Sequence, residues 1–369
     1  LAEHQPDLLA QTAAVLLPKD YVRLRMTDAV CTEPSDAAAT WLFDVKTGDW
    51  SDALLGFCGL ERRYLPEIVP STNIAGKLTS DAAQALGLPA GIPVVAGCAD
   101  QPAQSLGYGL YKPGFALATI ATGGQFVMPI AAPQTDDQMR FHLFNHAVPN
   151  IWYAQGATLC AGLSLRWLRD VLGFADRPNA YEHLSTLAAA VPAGADGLLF
   201  LPYLAGERTP LMDAEASGVF VGLRIHHTPG HLARAVMEGV AFSPKECLDL
   251  VFATATDNMG ADVDVIASGG AARSPVWRQI QADIYNRSLL LSVGANHAPV
   301  GAALLAGIGA GIYASFDEAC SLLPQPTERI VPDAARAAFY AERSTIFRSM
   351  YSLLKDDMHR LTRAVPPTN

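Results

Sequence analysis

Residues 263–277 read VDVIASGGAARSPVW, a short apolar run followed by small residues and the start of a helix. The apolar alternation at 263–267 predicts a β-strand. Ser274 and Pro275 then predict a helix that continues to Tyr285, because serine is a favoured N-cap and proline suits the first helical position. A strand, a loop and a helix in this order are typical of an α/β protein.

The same order recurs upstream of this segment. Residues 92–97 are a short apolar run that predicts a strand, and residues 101–107 predict a helix. Between them lie Cys98, Ala99 and Asp100. Side chains in such a loop stand at the carboxyl end of a strand, where α/β proteins commonly place reactive groups.

Other segments extend the α/β pattern over the rest of the chain. Thr228 and Pro229 predict the start of a long helix, with a kink or an early end at Pro244, since proline disrupts a helix interior. The remaining patterns predict a hairpin with strands at 115–119 and 125–130, a strand at 289–293, and helices at 81–86, 162–172, 301–311 and 333–361. These elements together predict an α/β fold class.

The length of 369 residues predicts two domains, because a single core seldom organises so long a chain. We place the boundary at the Lys112-Pro-Gly114 turn, which gives domains at 1–113 and 114–369. The chain starts with Leu rather than Met, within a segment that already has helical apolar spacing. We therefore expect it to be the carboxyl-terminal portion of a longer protein.

Charge and cysteine content narrow the classes of partner. The chain has 26 Lys and Arg against 36 Asp and Glu, a net charge of −10. This balance disfavours nucleic acids and acidic membrane surfaces as partners, and leaves small phosphate compounds. The 6 cysteines are dispersed, without metal-ligand spacing, which predicts a reducing cytoplasmic location and no metal-ligating side chains. The uncharged run 298–316 contains too many glycines for a membrane span.

Three short segments are candidates for chemistry, although common nucleotide and hydrolase signatures are absent. Asp100 is a candidate catalytic carboxylate, and its alternative is a helix N-cap. The loop with Thr122, Gly123 and Gly124 is a candidate anion site or an ordinary Gly-Gly hairpin. The third segment, Ser268-Gly-Gly-Ala271, precedes a capped helix, so it indicates either a site for a phosphate or a flat base, or tight strand–helix packing.

Six segments occur in the order and at the spacings found in the FGGY carbohydrate kinases, a family that this chain resembles over nearly its whole length. They are residues 16–25, 97–101, 119–124, 203–210, 231–239 and 268–277. The resemblance implies a two-lobed, actin-like (ribonuclease-H-like) α/β sugar kinase fold, with the sugar on the first lobe and ATP largely on the second. It also implies that ATP and Mg²⁺ are used and that the first lobe of this chain is incomplete.

Individual roles follow from the resemblance. Asp100 matches the family's catalytic base, and Asp100 with Gln101 matches the sugar-binding pair. The ATP-binding residues implied in this way are Thr122, Gly123, Gly124, Gly269, Gly270, Ala271 and Ser274. Arg208 is expected to approach the cleft. Within the family, the similarity is greatest to members that phosphorylate the ketopentose D-xylulose.

The chain also departs from the family's pattern. Gln101 stands where Asn is frequent, which leaves another ketose or polyol open as the substrate, and Ala121 stands where glycine is usual. The family's first phosphate loop would lie upstream of Leu1, so we expect residues 1–369 alone to form part of a cleft and to be inactive. A catalytically dead protein that binds nucleotide or sugar, or an interaction surface, remains an alternative to an active kinase. The resemblance also leaves a homodimer open.

Overall fold

The computed structural model describes residues 3–254, 263–292 and 297–364. Its helices are α1 (Pro6–Ala10), α2 (Pro18–Thr27), α3 (Pro34–Ala37), α4 (Asp52–Cys58), α5 (Ser80–Leu86), α6 (Asp100–Gly107), α7 (Gly162–Val171), α8 (Ala180–Ala189), α9 (Pro229–Thr254), α10 (Pro275–Tyr285), α11 (His297–Gly309), α12 (Phe316–Ser321) and α13 (Ala334–Arg363). Its strands are β1 (Cys31–Thr32), β2 (Phe43–Asp44), β3 (Asp49–Trp50), β4 (Glu67–Ile68), β5 (Ile74–Lys77), β6 (Pro93–Val95), β7 (Phe115–Ile120), β8 (Gly124–Ile130), β9 (His142–Asn145), β10 (Trp152–Thr158), β11 (Leu199–Leu201), β12 (Val219–Val221), β13 (Asp264–Gly269), β14 (Leu289–Leu291) and β15 (Glu328–Ile330). The predicted α/β fold class is confirmed.

A mixed sheet of 7 strands lies at the centre of the larger part of the chain, in the order β15-β14-β13-β7-β8-β10-β9. Strand β13 pairs in parallel with both β7 and β14, whereas β7, β8, β10 and β9 pair antiparallel to one another. Because β7 and β13 run in the same direction, the loops that follow them leave the sheet at the same edge. The segments before β7 form two-stranded sheets only, β1 with β4, β2 with β3, and β5 with β6.

The strand, loop and helix at 263–285 form as the sequence predicts. Ser274 is the N-cap of α10, and its hydroxyl accepts a hydrogen bond from the Trp277 N–H at 3.3 Å. The loop itself is a short 3₁₀ turn at Gly270–Arg273. The next strand ends at Leu291, and Val293, the last residue of its predicted span, lies outside the described residues.

Helix α9 does not end at Pro244, so the expectation of an early end there was wrong. It continues to Thr254 and packs against α7, α8, α10, β10 and β11. Phe242 and Cys247, on either side of the proline, are fully buried. Burial of the helix along this segment stabilises it sufficiently to offset the hydrogen bond that proline removes.

Helices α6 and α11 approach each other closely because small residues form their contact. A Cβ atom on Gly301 of α11 would lie 1.8 Å from the Ala103 carbonyl oxygen of α6, and one on Gly107 would lie 1.9 Å from the His297 carbonyl oxygen. Helix α6 is thereby joined to an element that follows it by about two hundred residues.

None of the described helices combines the length and the apolar character that crossing a membrane requires.

We predict that Gly301→Ala destabilises the protein by about 1–3 kcal/mol, the usual cost of adding volume to a close-packed contact. Gly56→Ala is the matched control, because Gly56 lies in α4 and a Cβ added there would have no atom within 4 Å, while alanine favours helix by about 0.5–1 kcal/mol. Urea unfolding of both variants measures the difference. An unchanged unfolding free energy in Gly301→Ala would show that α6 and α11 can separate at little cost.

Candidate active site

Asp100 is the first residue of α6 and is exposed. The N-cap of this helix is Ala99, which offers no side-chain hydrogen bond. The N-cap interpretation of Asp100 is therefore wrong. Its carboxylate makes no hydrogen bond or ion pair with the residues that the structure describes, and it is open to solvent.

The loop before Asp100 is fixed mainly through its backbone. The Arg23 guanidinium donates to the Ala96 carbonyl at 2.6 Å, and the Gly97 N–H donates to the Ser71 carbonyl at 3.0 Å. Gly97 has φ of +85°, which glycine adopts without strain. The Ala99 N–H donates to the Ser35 hydroxyl at 3.0 Å. These bonds set the direction in which α6 begins and hence the position of Asp100.

Ser35 connects this loop to a buried carboxylate. Its hydroxyl donates to Glu33 at 2.8 Å, and the Ser71 hydroxyl donates to the same carboxylate at 2.9 Å. Burial raises the pKa of Glu33, against the opposing effect of nearby Lys19 and of the hydrogen bonds from both serines. A carboxylate held in this way needs its donors, because each buried acceptor without a partner carries a desolvation penalty.

Lys19 compensates the negative charge in this region. Its ammonium lies 3.1 Å from Asp20, 3.5 Å from Glu33 and 3.6 Å from Asp36. Burial alone would lower the pKa of Lys19, but the three carboxylates raise it. The pKa of Asp36 is raised by burial and, to a smaller extent, by the negative charges of Asp20 and Asp100, whereas Lys19 lowers it.

The residue after Asp100 makes a direct contact with the central sheet. The Gln101 side-chain amide nitrogen donates a hydrogen bond to the side-chain carbonyl oxygen of Gln125 at 3.1 Å. Gln125 is the second residue of β8 and follows the loop with Thr122, Gly123 and Gly124. The structure thus brings the predicted sugar-binding residue next to the predicted phosphate loop.

A cavity of about 590 Å³ opens at the edge of the sheet where β7 and β13 end. Four of the seven predicted ATP-binding residues line it, namely Thr122, Gly270, Ala271 and Ser274. Other lining residues that the sequence did not single out include Arg166, Tyr181, Ser185 and Trp277. Arg166 and Tyr181 lie on α7 and α8, two helices whose positions beside the loop only the tertiary fold reveals.

The other three predicted residues are Gly123, Gly124 and Gly269. They lie one or two positions in the sequence from residues that line the cavity, and each packs closely against another segment. A Cβ on Gly269, where φ is +82°, would lie 2.3 Å from the Ile120 carbonyl oxygen, and one on Gly123 would lie 2.8 Å from the Thr158 carbonyl oxygen. A Cβ on Gly124 would meet the Thr158 hydroxyl. Gly270 differs, because its nearest atom would be 3.9 Å away. The two loops therefore contain glycines that close packing requires and one that faces open space.

Glu207 is a residue that the sequence analysis missed. It is 3 % exposed, and its carboxylate accepts hydrogen bonds from the N–H groups of Leu159, at 2.8 Å, and of Arg208, at 2.7 Å. Burial raises the pKa of Glu207 to about 7. The sequence shows this residue within the 203–210 segment, but no local pattern distinguishes a buried carboxyl group from an exposed one.

Arg208, which was expected to approach the cleft, is exposed and lies beside the central sheet. Its guanidinium is 3.3 Å from the His142 ring, and burial together with the Arg208 charge lowers the pKa of His142. His142 pairs with Gln155, and the register places both on the same face of the sheet as Gln125. Arg208 therefore lies near the sheet face that Gln101 contacts.

Comparisons with known proteins place the chain among the carbohydrate kinases. Residues 118–310 match the carboxyl-terminal domain of the FGGY family of carbohydrate kinases, and residues 1–107 match the family's amino-terminal domain. The xylulose kinase of Escherichia coli strain K12 is 38% identical over 356 residues, which cover 95% of this chain and 71% of that protein. A gluconokinase of Bacillus licheniformis is 31% identical over 97% of this chain and 70% of its own length.

A solved structure extends these similarities to three dimensions. The xylulose kinase from Rhodospirillum rubrum superimposes with a TM-score of 0.87 at 32% sequence identity, covering 97% of this chain and 71% of that one.

We predict that Ser35→Ala destabilises the protein by about 1–3 kcal/mol, because it leaves the Ala99 N–H without its acceptor and removes one of the donors to the buried Glu33 carboxylate. Urea unfolding measures the loss, and hydrogen exchange is expected to be faster at the Ala99 amide than in the parent protein. Ser321→Ala, at an exposed hydroxyl of α12, is the control. Unchanged protection of the Ala99 amide would contradict the role given to Ser35.

Proposed function

The chain belongs to the FGGY family of carbohydrate kinases, and from that premise we propose that it transfers the γ-phosphate of ATP to D-xylulose, giving D-xylulose 5-phosphate. Its α/β fold is the actin-like fold of this family. Xylulose kinases predominate among its relatives, which supports a ketopentose as the acceptor.

The observation that carries the proposal is the free carboxylate of Asp100 at the start of α6, directly before a residue that contacts the phosphate-loop hairpin. A general base must reach the acceptor hydroxyl, and this carboxylate has no partner among the described residues that would occupy it. Asp100 takes the proton of the sugar hydroxyl as that oxygen attacks the γ-phosphorus. Gln101, beside it, contacts the sugar.

The nucleotide occupies the cavity between the two loops. Gly270 and Ala271 leave room for the adenosine against the 3₁₀ turn, with Ser274 at the start of α10. Thr122, Gly123 and Gly124 lie where the terminal phosphates approach the sheet edge. Positioning of this kind supplies most of the rate enhancement in phosphoryl transfer, since little covalent chemistry falls to the protein.

Magnesium accompanies ATP in this proposal. No group of three or more metal-ligating side chains lies together in the described part of the chain, and the ion is proposed to be held mainly by the phosphate oxygens of ATP. When bound, Mg²⁺ neutralises charge that develops on the phosphates. Asp100 and the phosphate loop orient the acceptor and the transferred group.

Gluconate is a second candidate acceptor, because a gluconokinase is among the relatives and Gln101 replaces the frequent Asn. A coupled assay of ADP release over ketoses, polyols and gluconate, with the full-length protein, decides between them. Preference for D-xylulose by kcat/KM supports the proposal, and preference for gluconate would overturn it.

The domain boundary and the location in the cell are parts of the same proposal. A boundary at 113/114 is supported by the family matches, which end at 107 and resume at 118, although α11 packs back on α6. A reducing cytoplasm is supported by 6 cysteines that are all free. Limited proteolysis between 107 and 118 tests the boundary.

We predict that Asp100→Asn lowers kcat by at least about a hundredfold, the lower range of what a positioned base contributes. ATP binding, followed by calorimetry, should persist, because Asp100 does not line the nucleotide cavity. Asp81→Asn is the matched control, an exposed acidic residue in the first turn of α5. Retained turnover in Asp100→Asn would remove Asp100 from the mechanism.

We further predict that Gly270→Val weakens ATP binding while the affinity for the sugar stays unchanged. The backbone has room for a Cβ at this position, so the fold tolerates valine, but its methyl groups enter the cavity. Calorimetric titration with ATP and, separately, with D-xylulose measures both affinities. Equal loss of the two would indicate misfolding and contradict the placement of adenosine here.

A further inference from the structure

Two glutamines meet where the helix that carries Asp100 approaches the central sheet. Gln101 belongs to the first turn of α6, and Gln125 lies on β8 one residue after Gly124. The amide nitrogen of Gln101 donates to the side-chain oxygen of Gln125 at 3.1 Å. The two side chains thus connect the acceptor side of the proposed site with the phosphate-loop hairpin.

Two polar atoms beside this contact are buried and lack a hydrogen-bond partner among the described residues. One is the side-chain oxygen of Gln101, and the other is the hydroxyl of Thr119. Thr119 on β7 stands directly opposite Gln125 in the antiparallel register, so its side chain shares the face of the sheet with Gln125. Buried polar atoms are nearly always paired in native proteins, so these two neighbouring atoms are available to a polar ligand.

The contact between the glutamines decides which end of the Gln101 amide remains available. One N–H of Gln101 is held by Gln125, and the carbonyl oxygen is the buried atom of this amide that lacks a partner among the described residues, so this oxygen is the one left for a ligand. A carbonyl oxygen only accepts hydrogen bonds, so its partner must be a donor. A sugar hydroxyl donates, whereas a carboxylate or phosphate oxygen does not.

We propose that Gln125 is a positioning residue for sugar specificity, which holds the Gln101 amide with its carbonyl oxygen toward a hydroxyl group of the acceptor. This inference rests on the proposed function, since it takes the ligand of Gln101 to be the sugar. It goes beyond that function by assigning a role to a side chain of the nucleotide-side hairpin. It also predicts that a neutral polyhydroxy acceptor is preferred over one with a carboxylate at this position.

The test uses three variants and measures the ketose dissociation constant by calorimetry without nucleotide, together with KM for ketose and for ATP. Gln125→Leu removes the acceptor for Gln101 and is expected to weaken ketose binding about three- to tenfold, the range of one neutral hydrogen bond. Gln125→Glu keeps a side-chain oxygen that accepts the hydrogen bond from Gln101, so this variant should retain ketose affinity within about twofold. Gln84→Leu, at an exposed position of α5, is the control.

The expected result is a change confined to the ketose, with KM for ATP unaffected in Gln125→Leu and affinity rescued by Gln125→Glu. A ketose affinity that is unchanged in Gln125→Leu overturns the inference. Two further outcomes also overturn it, because each indicates a packing role. In the first, ketose binds as weakly to Gln125→Glu as to Gln125→Leu. In the second, the affinities for ketose and ATP fall in parallel and the unfolding temperature is lowered. If the full-length parent protein neither binds nor phosphorylates any ketose, the proposed function fails, and this result differs from all the others.

Discussion

The parallel pairing of β7 with β13 is the constraint on which the site depends. Ser268 aligns with Thr119 and Gly269 with Ile120, so both chains leave the sheet at the same level. The loop after β7 contains Thr122, and the turn after β13 contains Gly270, and the cavity forms between them. A shift of one residue in this register would turn the side chains of β13 to the opposite face and separate the two loops.

The pairing is possible only because its backbones can approach each other. Gly269 has almost no space beyond its hydrogen atoms, since the Ile120 carbonyl lies where a side chain would begin. The same principle operates between α6 and α11, where Gly107 and Gly301 bring two helices that are distant in the sequence into contact. Close approach fixes the direction of α6, and α6 in turn fixes the distance between Asp100 and the phosphate loop. Small residues that do not line the cavity therefore determine how Asp100 and the loop with Thr122 lie relative to each other.

Local patterns predicted the elements of the site better than their surroundings. Ser274 with Pro275, and the strand that ends before Asp100, are short-range signals, and the structure confirms the helix starts that they predict. The continuation of α9 through Pro244 was not predictable, because burial by distant segments decides it. Glu207 was missed for the same reason, since its burial depends on a backbone that lies almost fifty residues away.

The charges around Asp100 bear on its proposed role as a general base. A carboxylate that acts as a base must be ionised and unpaired, and both conditions are difficult to meet beside other carboxylates. Lys19 contacts Asp20, Glu33 and Asp36 and offsets part of their charge, and it forms no ion pair with Asp100. Glu33 accepts a hydrogen bond from the Ser35 hydroxyl, which in turn accepts one from the Ala99 N–H, directly before Asp100. Asp20, Glu33 and Asp36 thus find ion pairs and hydrogen bonds within the protein, whereas the exposed carboxylate of Asp100 has no such partner among the described residues.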